Sequence, residues 1–177
     1  MAVTDLSIRL RPVADEDDLD MFRRFCVEPG LIGLDWRGFQ DVQRVAKRFA
    51  EDGFLGERDG RLVVDAGGKR VGFVSYTEGV YAGRGPYFEI GIALLPEFRG
   101  RGIGWRAQAM LCEYLFTHSP VQRIQAGTHA ENVVEQRSLV KAGFQLEGVV
   151  RACEFRDGAW RDGHLFSRLR TDPAPPL

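Results

Sequence analysis

Pro96-Glu97-Phe98-Arg99-Gly100-Arg101-Gly102-Ile103-Gly104 is the stretch around which the chain is organised. It stands between an apolar run, Phe88 to Leu95, that reads as a buried strand, and a segment from Ile103 to His118 that reads as a helix. In that helix Ala107, Met110, Leu111, Tyr114 and Leu115 recur at the spacing of one face, wide enough to pack on a sheet. The order strand, glycine loop, helix has a chemical consequence. Glycines at alternate positions let the backbone turn and approach a ligand with no Cβ in the way. The first-turn N–H groups of the following helix lack partners within it, and its dipole favours negative charge there, so phosphate is the natural guest. Arg99 and Arg101 in the loop and Arg106 in the helix add positive charge. The spacing fits neither G-x-x-x-x-G-K-[ST] nor G-x-G-x-x-G, because the lysine is absent and the glycines recur at two-residue steps. Taken alone, the six residues also read as a surface turn with solvated arginines.

A chain of 177 residues is most simply one domain, expected over residues 1–170 with a loose tail over 171–177. Its formal net charge of −1 argues against a nucleic-acid partner held by bulk basicity. Cys26, Cys112 and Cys153 are odd in number and far apart, so they read as reduced thiols and suggest neither a disulfide framework nor a metal site. The N-terminus lacks an apolar signal core and no apolar run is long enough to span a bilayer, so a cytoplasmic protein without a membrane partner is expected.

Along the chain, Ser7 to Arg11 alternates polar and apolar up to Pro12 and reads as a first strand. Asp15-Glu16-Asp17-Asp18 supplies N-cap and first-turn acids before Leu19, Phe22 and Phe25, which share a helical face ending at Glu28-Pro29-Gly30. Leu31 to Phe39 has neither helical nor strand period and is expected to be a loop, either a plug over the core or one wall of an acceptor pocket. A second helix is expected from about Gln40 to Ala50. Strands follow at Arg61–Asp65, Arg70–Tyr76 and Tyr87–Leu95, separated by glycine-rich turns, as an antiparallel meander. Beyond the glycine loop, Arg123–Thr128 reads as a strand, Asn132–Ala142 as a helix stopped by Gly143, and Phe144–Phe155 and Trp160–Leu169 as closing strands.

Arg99-Gly100-Arg101-Gly102-Ile103-Gly104 resembles the pyrophosphate signature [QR]-x-x-G-x-[GA] of the GNAT superfamily of acetyl-CoA-dependent N-acetyltransferases. A second stretch supports the likeness: Asn132, Lys141, Ala142, Gly143 and Phe144, then Glu147-Gly148-Val149-Val150-Arg151, then Trp160-Arg161-Asp162. With Ile8-Arg9-Leu10-Arg11-Pro12 at the start, it resembles the branch that includes ribosomal-protein N-terminal and many small-molecule acetyltransferases. The resemblance implies an α/β (α+β) fold in the order β-α-α-β-β-β-α-β-α-β-β, with a mixed, mostly antiparallel sheet flanked by helices. It implies acetyl-CoA as co-substrate and no metal. It further implies that the backbone of Ala93, Leu94 and Leu95 meets the pantetheine and acetyl oxygen, that the loop from Arg99 to Gly104 holds the pyrophosphate, that Asn132 meets the pantetheine arm and that Arg137 reaches the nucleotide end.

Acetyl transfer needs a neutral amine, whereas a lysine amine titrates near about 10.4 and a chain N-terminus near about 7.7 to 8.0, so a base is useful. Glu89 is the leading candidate: several family members carry a catalytic glutamate at this place, and partial burial beside the sheet would lift its pKa. The alternative is a structural carboxylate paired with an arginine such as Arg84, or a solvent-facing strand residue. Glu135 is the second candidate. It stands three residues after the asparagine, where the family usually has serine, and also reads as a helix-start acid favoured by the dipole. His129 is either a titratable or a capping group. Leu139 occupies the place of a family tyrosine, so the general acid is left open among Tyr76, Tyr81, Tyr87 and Tyr114 or dispensed with.

The fold's variable, acceptor-facing parts correspond to Leu31–Phe39, Tyr81–Tyr87 and Arg151–Arg161, and Trp36, Phe39 and Tyr81 are the expected substrate residues. Aromatic walls beside carboxylates suit a cationic amine, a small molecule or a peptide N-terminus. A module that binds acyl-CoA without turnover, as sensor or scaffold, is the alternative, and a homodimer is compatible with the family.

Overall fold

The structure, a computed structural model, describes residues 7–176; residues 1–6 of the expected domain and Leu177 of the expected tail lie outside the described residues. In chain order the elements are β1 (Ile8–Arg11), α1 (Glu16–Val27), a helical turn α2 (Pro29–Ile32), a 3-10 turn (Gly33–Asp35) and α3 (Gln43–Asp52). Strands β2 (Asp59–Ala66), β3 (Lys69–Tyr81) and β4 (Gly85–Leu94) come next, then α4 (Ile103–His118), β5 (Arg123–His129), α5 (Val133–Lys141), β6 (Gln145–Arg156) and β7 (Ala159–Leu169). The expected order holds, with short helical turns added, one of them a second 3-10 turn at Pro96–Phe98 ahead of the glycine loop. The segment expected to be a loop carries α2 and the first 3-10 turn, because Pro29, which cannot continue α1, is well suited to the first position of a new helical turn.

One seven-stranded sheet runs β1-β2-β3-β4-β5-β7-β6, antiparallel except where β4 and β5 lie parallel. The strand alternation buries both faces. Leu62 and Val64 of β2 join Val74, Ile90 and the α4 residues Ala107, Leu111 and Leu115 in one cluster, while Val63 joins Phe22, Phe25, Val45 and Phe54 beneath α1 and α3. No helix among the described residues is long and apolar enough to cross a membrane.

Local chemistry sets the ends of these elements. Asp15 caps α1, its carboxylate accepting the Asp18 N–H at 2.9 Å. Asp18, read from sequence as a first-turn acid, points inward instead and is fully buried. Burial alone would raise its pKa, but the Arg11 fork at 2.6 and 2.8 Å and the Ala14 N–H at 3.0 Å hold it below the ordinary carboxylate range. This pair ties β1 to α1. At the opposite edge Glu147, in the irregular part of β6, accepts from Arg123 of β5 and Ser167 of β7, and these bonds hold its pKa down at about 2. The tail expected to be loose is partly docked: Asp172 accepts the Leu169 N–H at 2.8 Å, and Pro175 Cδ lies 3.4 Å from the place a Cβ would take at Gly143.

Asp18→Ala should lower unfolding free energy by about 3 kcal/mol at neutral pH, since it strands Arg11 beside a buried cap; chemical denaturation would measure it. Glu147 has a depressed folded pKa, so its stabilisation is present above the ordinary value of 4.5 and is lost as pH falls towards about 2. Glu147→Gln should therefore melt lower than wild type at pH 7, with the gap in Tm closing as the pH is brought below that window.

Candidate active site

The sheet opens in its middle. β4 and β5 pair only at Tyr87–Arg123, Phe88–Ile124 and Glu89–Gln125, then diverge, and a cavity of about 1080 Å³ fills the gap. The backbone direction along its β4 wall follows from one hydrogen bond. The Leu95 N–H donates to the Val71 carbonyl at 2.9 Å, which fixes the parity of the β3–β4 ladder. Odd-numbered β4 residues bond to β3 and even-numbered ones face β5, so beyond the paired stretch Ile92 and Leu94 turn their N–H groups to the open side. Of the expected trio Ala93, Leu94 and Leu95, only Leu94 can donate into the gap. Leu95 is buried and Ala93 faces β3, whereas Ile92, not anticipated, presents a second N–H.

At one end of the cavity, Gly100 and Gly102 adopt left-handed backbone with φ of 72° and 76°, and Gly102 is the N-cap of α4. A glycine cap has no side chain to satisfy the first-turn N–H groups, which stay available to an anion. The loop is also a cradle that a Cβ would fill. At Gly104 an added Cβ would lie 3.4 Å from Ser138 Oγ and 3.7 Å from Leu94 Cδ1, and at Gly102 it would lie 3.3 Å from Trp105 Nε1. These features fit a pyrophosphate-bearing ligand such as acetyl-CoA. Gly100, Gly102, Gly104, Trp105, Asn132, Arg137 and Lys141 line this half.

The loop cations differ from expectation. Arg99 spends its guanidinium on the Leu94 carbonyl at 2.9 Å and on the Leu31 carbonyl, so it fastens the loop to α2. Arg101 lies over the Phe98 ring and outside the cavity wall, and the Ile103 side chain is core, leaving its backbone N–H as its contribution. Arg137 does line the cavity, and Lys141, one turn on, joins it.

Both carboxylates named as base candidates line the cavity, in unlike settings. Glu89 is exposed and accepts from Gln125 Nε2 at 3.2 Å, so the expected partial burial is absent, as is any bond to Arg84. Glu135 is the tuned group. It begins α5, its N–H donating to Asn132 Oδ1 at 3.3 Å, and its carboxylate accepts from Gln108 of α4. Burial lifts its pKa to about 7, the Gln108 hydrogen bond opposing and Asp35 adding to the rise. The helix-start reading of Glu135 thus describes its position but not its environment.

The other end of the cavity is formed by Leu31 to Asp35, Arg37, Glu78, Tyr87 and Glu89. The expected substrate aromatics are elsewhere. Trp36 packs edge-on against Phe39, which is 80% exposed, and Tyr81 lies tilted against Tyr87 at the far tip of β3; none of the three expected residues lines the cavity. Which residues of the turning segment face inward is set by how it docks, and here Asp35 and Arg37 line the cavity while Trp36 does not. His129, 2% exposed at the end of β5, lies 3.0 Å from Glu154 Oε2 and 3.4 Å from Asp35 Oδ1, behind the acceptor wall. Of the four tyrosines, Tyr87 alone lines the cavity. Gln108, Ser138 and Gln125 escaped the sequence reading; a glutamine inside the apolar stripe of α4 was the one signal for the first.

The sequence profile of the acetyltransferase (GNAT) domain matches residues 7–145. A probable N-acetyltransferase, YjcK of Bacillus subtilis (strain 168), is 34% identical over 83 residues, 47% of this chain and 46% of that protein, so the match spans about half the length of that relative. The solved spermidine N-acetyltransferase of Vibrio cholerae in complex with CoA and spermine has the same fold, with a TM-score of 0.80, 20% identity and coverage of 93% of this chain and 96% of that one. RimL, a ribosomal L7/L12 alpha-N-protein acetyltransferase in complex with coenzyme A, also shares it, with a TM-score of 0.76, 18% identity and coverage of 95% and 96%.

Gly102→Glu should weaken acetyl-CoA binding by about 100-fold or more, ~2.7 kcal/mol, because it sets a strained, bulky anion where the pyrophosphate would lie. Calorimetric titration of wild type and variant would read the loss; equal affinities would disqualify the loop as the phosphate site.

Proposed function

The chain belongs to the GNAT acetyltransferase family, and we propose that it moves an acetyl group from acetyl-CoA to a cationic primary amine by direct attack in a ternary complex. The observation that carries this reading is Glu135, a carboxyl whose pKa is lifted to about 7 inside a cavity that also holds the uncapped start of α4. Such a group can both accept and return a proton near neutrality. The Ile92 and Leu94 N–H groups are the donors for the thioester oxygen as it becomes negative. Asp35, Glu78 and Glu89 at the acceptor end attract the ammonium form. Exposed Glu89 passes one ammonium proton to solvent. The freed amine attacks the carbonyl carbon, and Glu135 takes the second proton from nitrogen. As the carbon–sulfur bond breaks, Glu135 returns that proton to the leaving thiolate, giving amide and free thiol with the carboxylate restored.

The carboxylate-rich acceptor end favours a small polyamine-like cation, the class bound by the spermidine N-acetyltransferase of the same fold. A protein N-terminus is the second reading, favoured by proton affinity: an α-amine titrating near about 8 gives up its ammonium proton at far smaller cost than an alkylamine near about 10.4. Thiol release from acetyl-CoA, with spermidine and an N-terminal peptide compared, decides between them. An amine-independent, CoA-binding protein would instead be the sensor or scaffold.

Glu135→Gln should cut kcat by about 10²–10⁴-fold with acetyl-CoA affinity kept. In wild type kcat/KM should rise as pH passes about 7, where Glu135 ionises, and the variant should lose that inflection. Glu89→Gln should act chiefly on KM for the amine; steady-state kinetics across pH would separate the two carboxylates.

A further inference from the structure

Gln108 is 1% exposed, on the face of α4 that otherwise packs the apolar core. A buried amide requires partners for both its ends. Its Nε2 donates to Glu135 Oε1, and its Oε1 accepts from Ser138 Oγ at 3.0 Å. Both partners lie on α5 and line the cavity, and Ser138 Oγ stands beside Gly104 of the phosphate loop. The three side chains therefore form a chain of hydrogen bonds running from the donor loop to the proton-transfer carboxyl. We infer that Gln108 is a positioning residue that holds the Glu135 carboxylate on the cavity wall and keeps it ionisable there.

The amide suits this role because it serves either protonation state without backbone movement. Facing the carboxylate, Nε2–H donates to Glu135 while Ser138 O–H donates to Oε1. Facing the carboxylic acid, a rotated amide accepts the Glu135 O–H at Oε1 and donates from Nε2 to Ser138 Oγ. Neither lysine, which only donates, nor an ionised glutamate, which only accepts, could do both. The neighbouring charges leave this task to Gln108. Asp35 reaches Glu135 from the 3-10 turn and opposes ionisation, while His129 at the end of β5 lies against Asp35. Arg137 and Lys141, on α5 itself, line the same cavity towards its nucleotide end. Without the amide, burial and Asp35 act on the carboxylate unopposed.

The inference rests on Glu135 as the proton-transfer group, and the test separates the two. Gln108→Met keeps the volume and removes both hydrogen bonds, and Ser138→Ala removes only the far end, so a fold that fails in the first is still tested by the second. The Glu135 carboxyl ¹³C titration, assigned by its disappearance in Glu135→Gln, should move upward from about 7 in Gln108→Met and by less in Ser138→Ala. The kcat/KM inflection should move with it, so that the variant loses more than 10-fold at low pH and recovers at high pH, with affinity for acetyl-CoA within 2-fold of wild type. Titrations that superimpose on wild type would overturn the proposal. A ¹³C midpoint that moves while the rate profile stays would uphold Gln108 as the residue governing Glu135 and would overturn the proton-transfer role of Glu135.

Discussion

The site depends on the parting of β4 from β5 after three paired residues. Every backbone N–H and C=O needs a partner, and a strand leaving its neighbour inside a sheet leaves a row of them unpaired. Here the Ile92 and Leu94 N–H groups face the gap, at a place covered by helices and enclosed by the glycine loop. Closing the sheet would satisfy the backbone and abolish the cavity; a ligand that brings its own carbonyl acceptors satisfies the same groups and occupies it. The chain keeps the gap open with contacts that do not cross it. Arg99 ties the loop to the Leu94 and Leu31 carbonyls, and Glu147 ties β6 to β5 and β7 at the far side.

That opening also sorts the carboxylates. Glu89 sits on β4 where the strands are still paired and remains in contact with water. Glu135, in the first turn of α5, is half-buried and meets α4 through Gln108. In the proposed reaction the two glutamates take separate tasks, one attracting and deprotonating a cation at the mouth and the other handling a proton next to sulfur. The contrast between their settings comes from burial and one amide. His129 lies near Glu154 and Asp35 behind the wall.

Much of this was legible before the structure. The acidic cluster ahead of Leu19 read as an N-cap and Asp15 is one; the alternating strands and the glycine loop lie where they were expected, within a few residues. The misreadings share a cause. Trp36, Phe39 and Tyr81 were assigned inward because aromatic residues near a variable loop suit an amine, but which side chain of a turning segment faces inward depends on how the turn docks. Leu95 and Ala93 were grouped with Leu94 because strand parity follows from the partner strand, and Leu95 is bonded to Val71, 24 positions earlier in the chain. Asp18 looked like a surface acid until Arg11 was brought over it.

The sequence by itself determined the order of elements, the turning points and the loop that admits a phosphate, because hydrophobic period, capping and glycine's freedom act within a few residues of one another. It also determined that Asn132 would open a helix. Only the tertiary structure decided which N–H groups face the gap, that Arg99 is a fastener, and that Glu135 has a raised pKa. Those properties are set by exclusion of water and by partners such as Gln108, 27 residues away along the chain. A carboxyl's acidity belongs to its surroundings, and its surroundings are assembled only when α4 and α5 pack together.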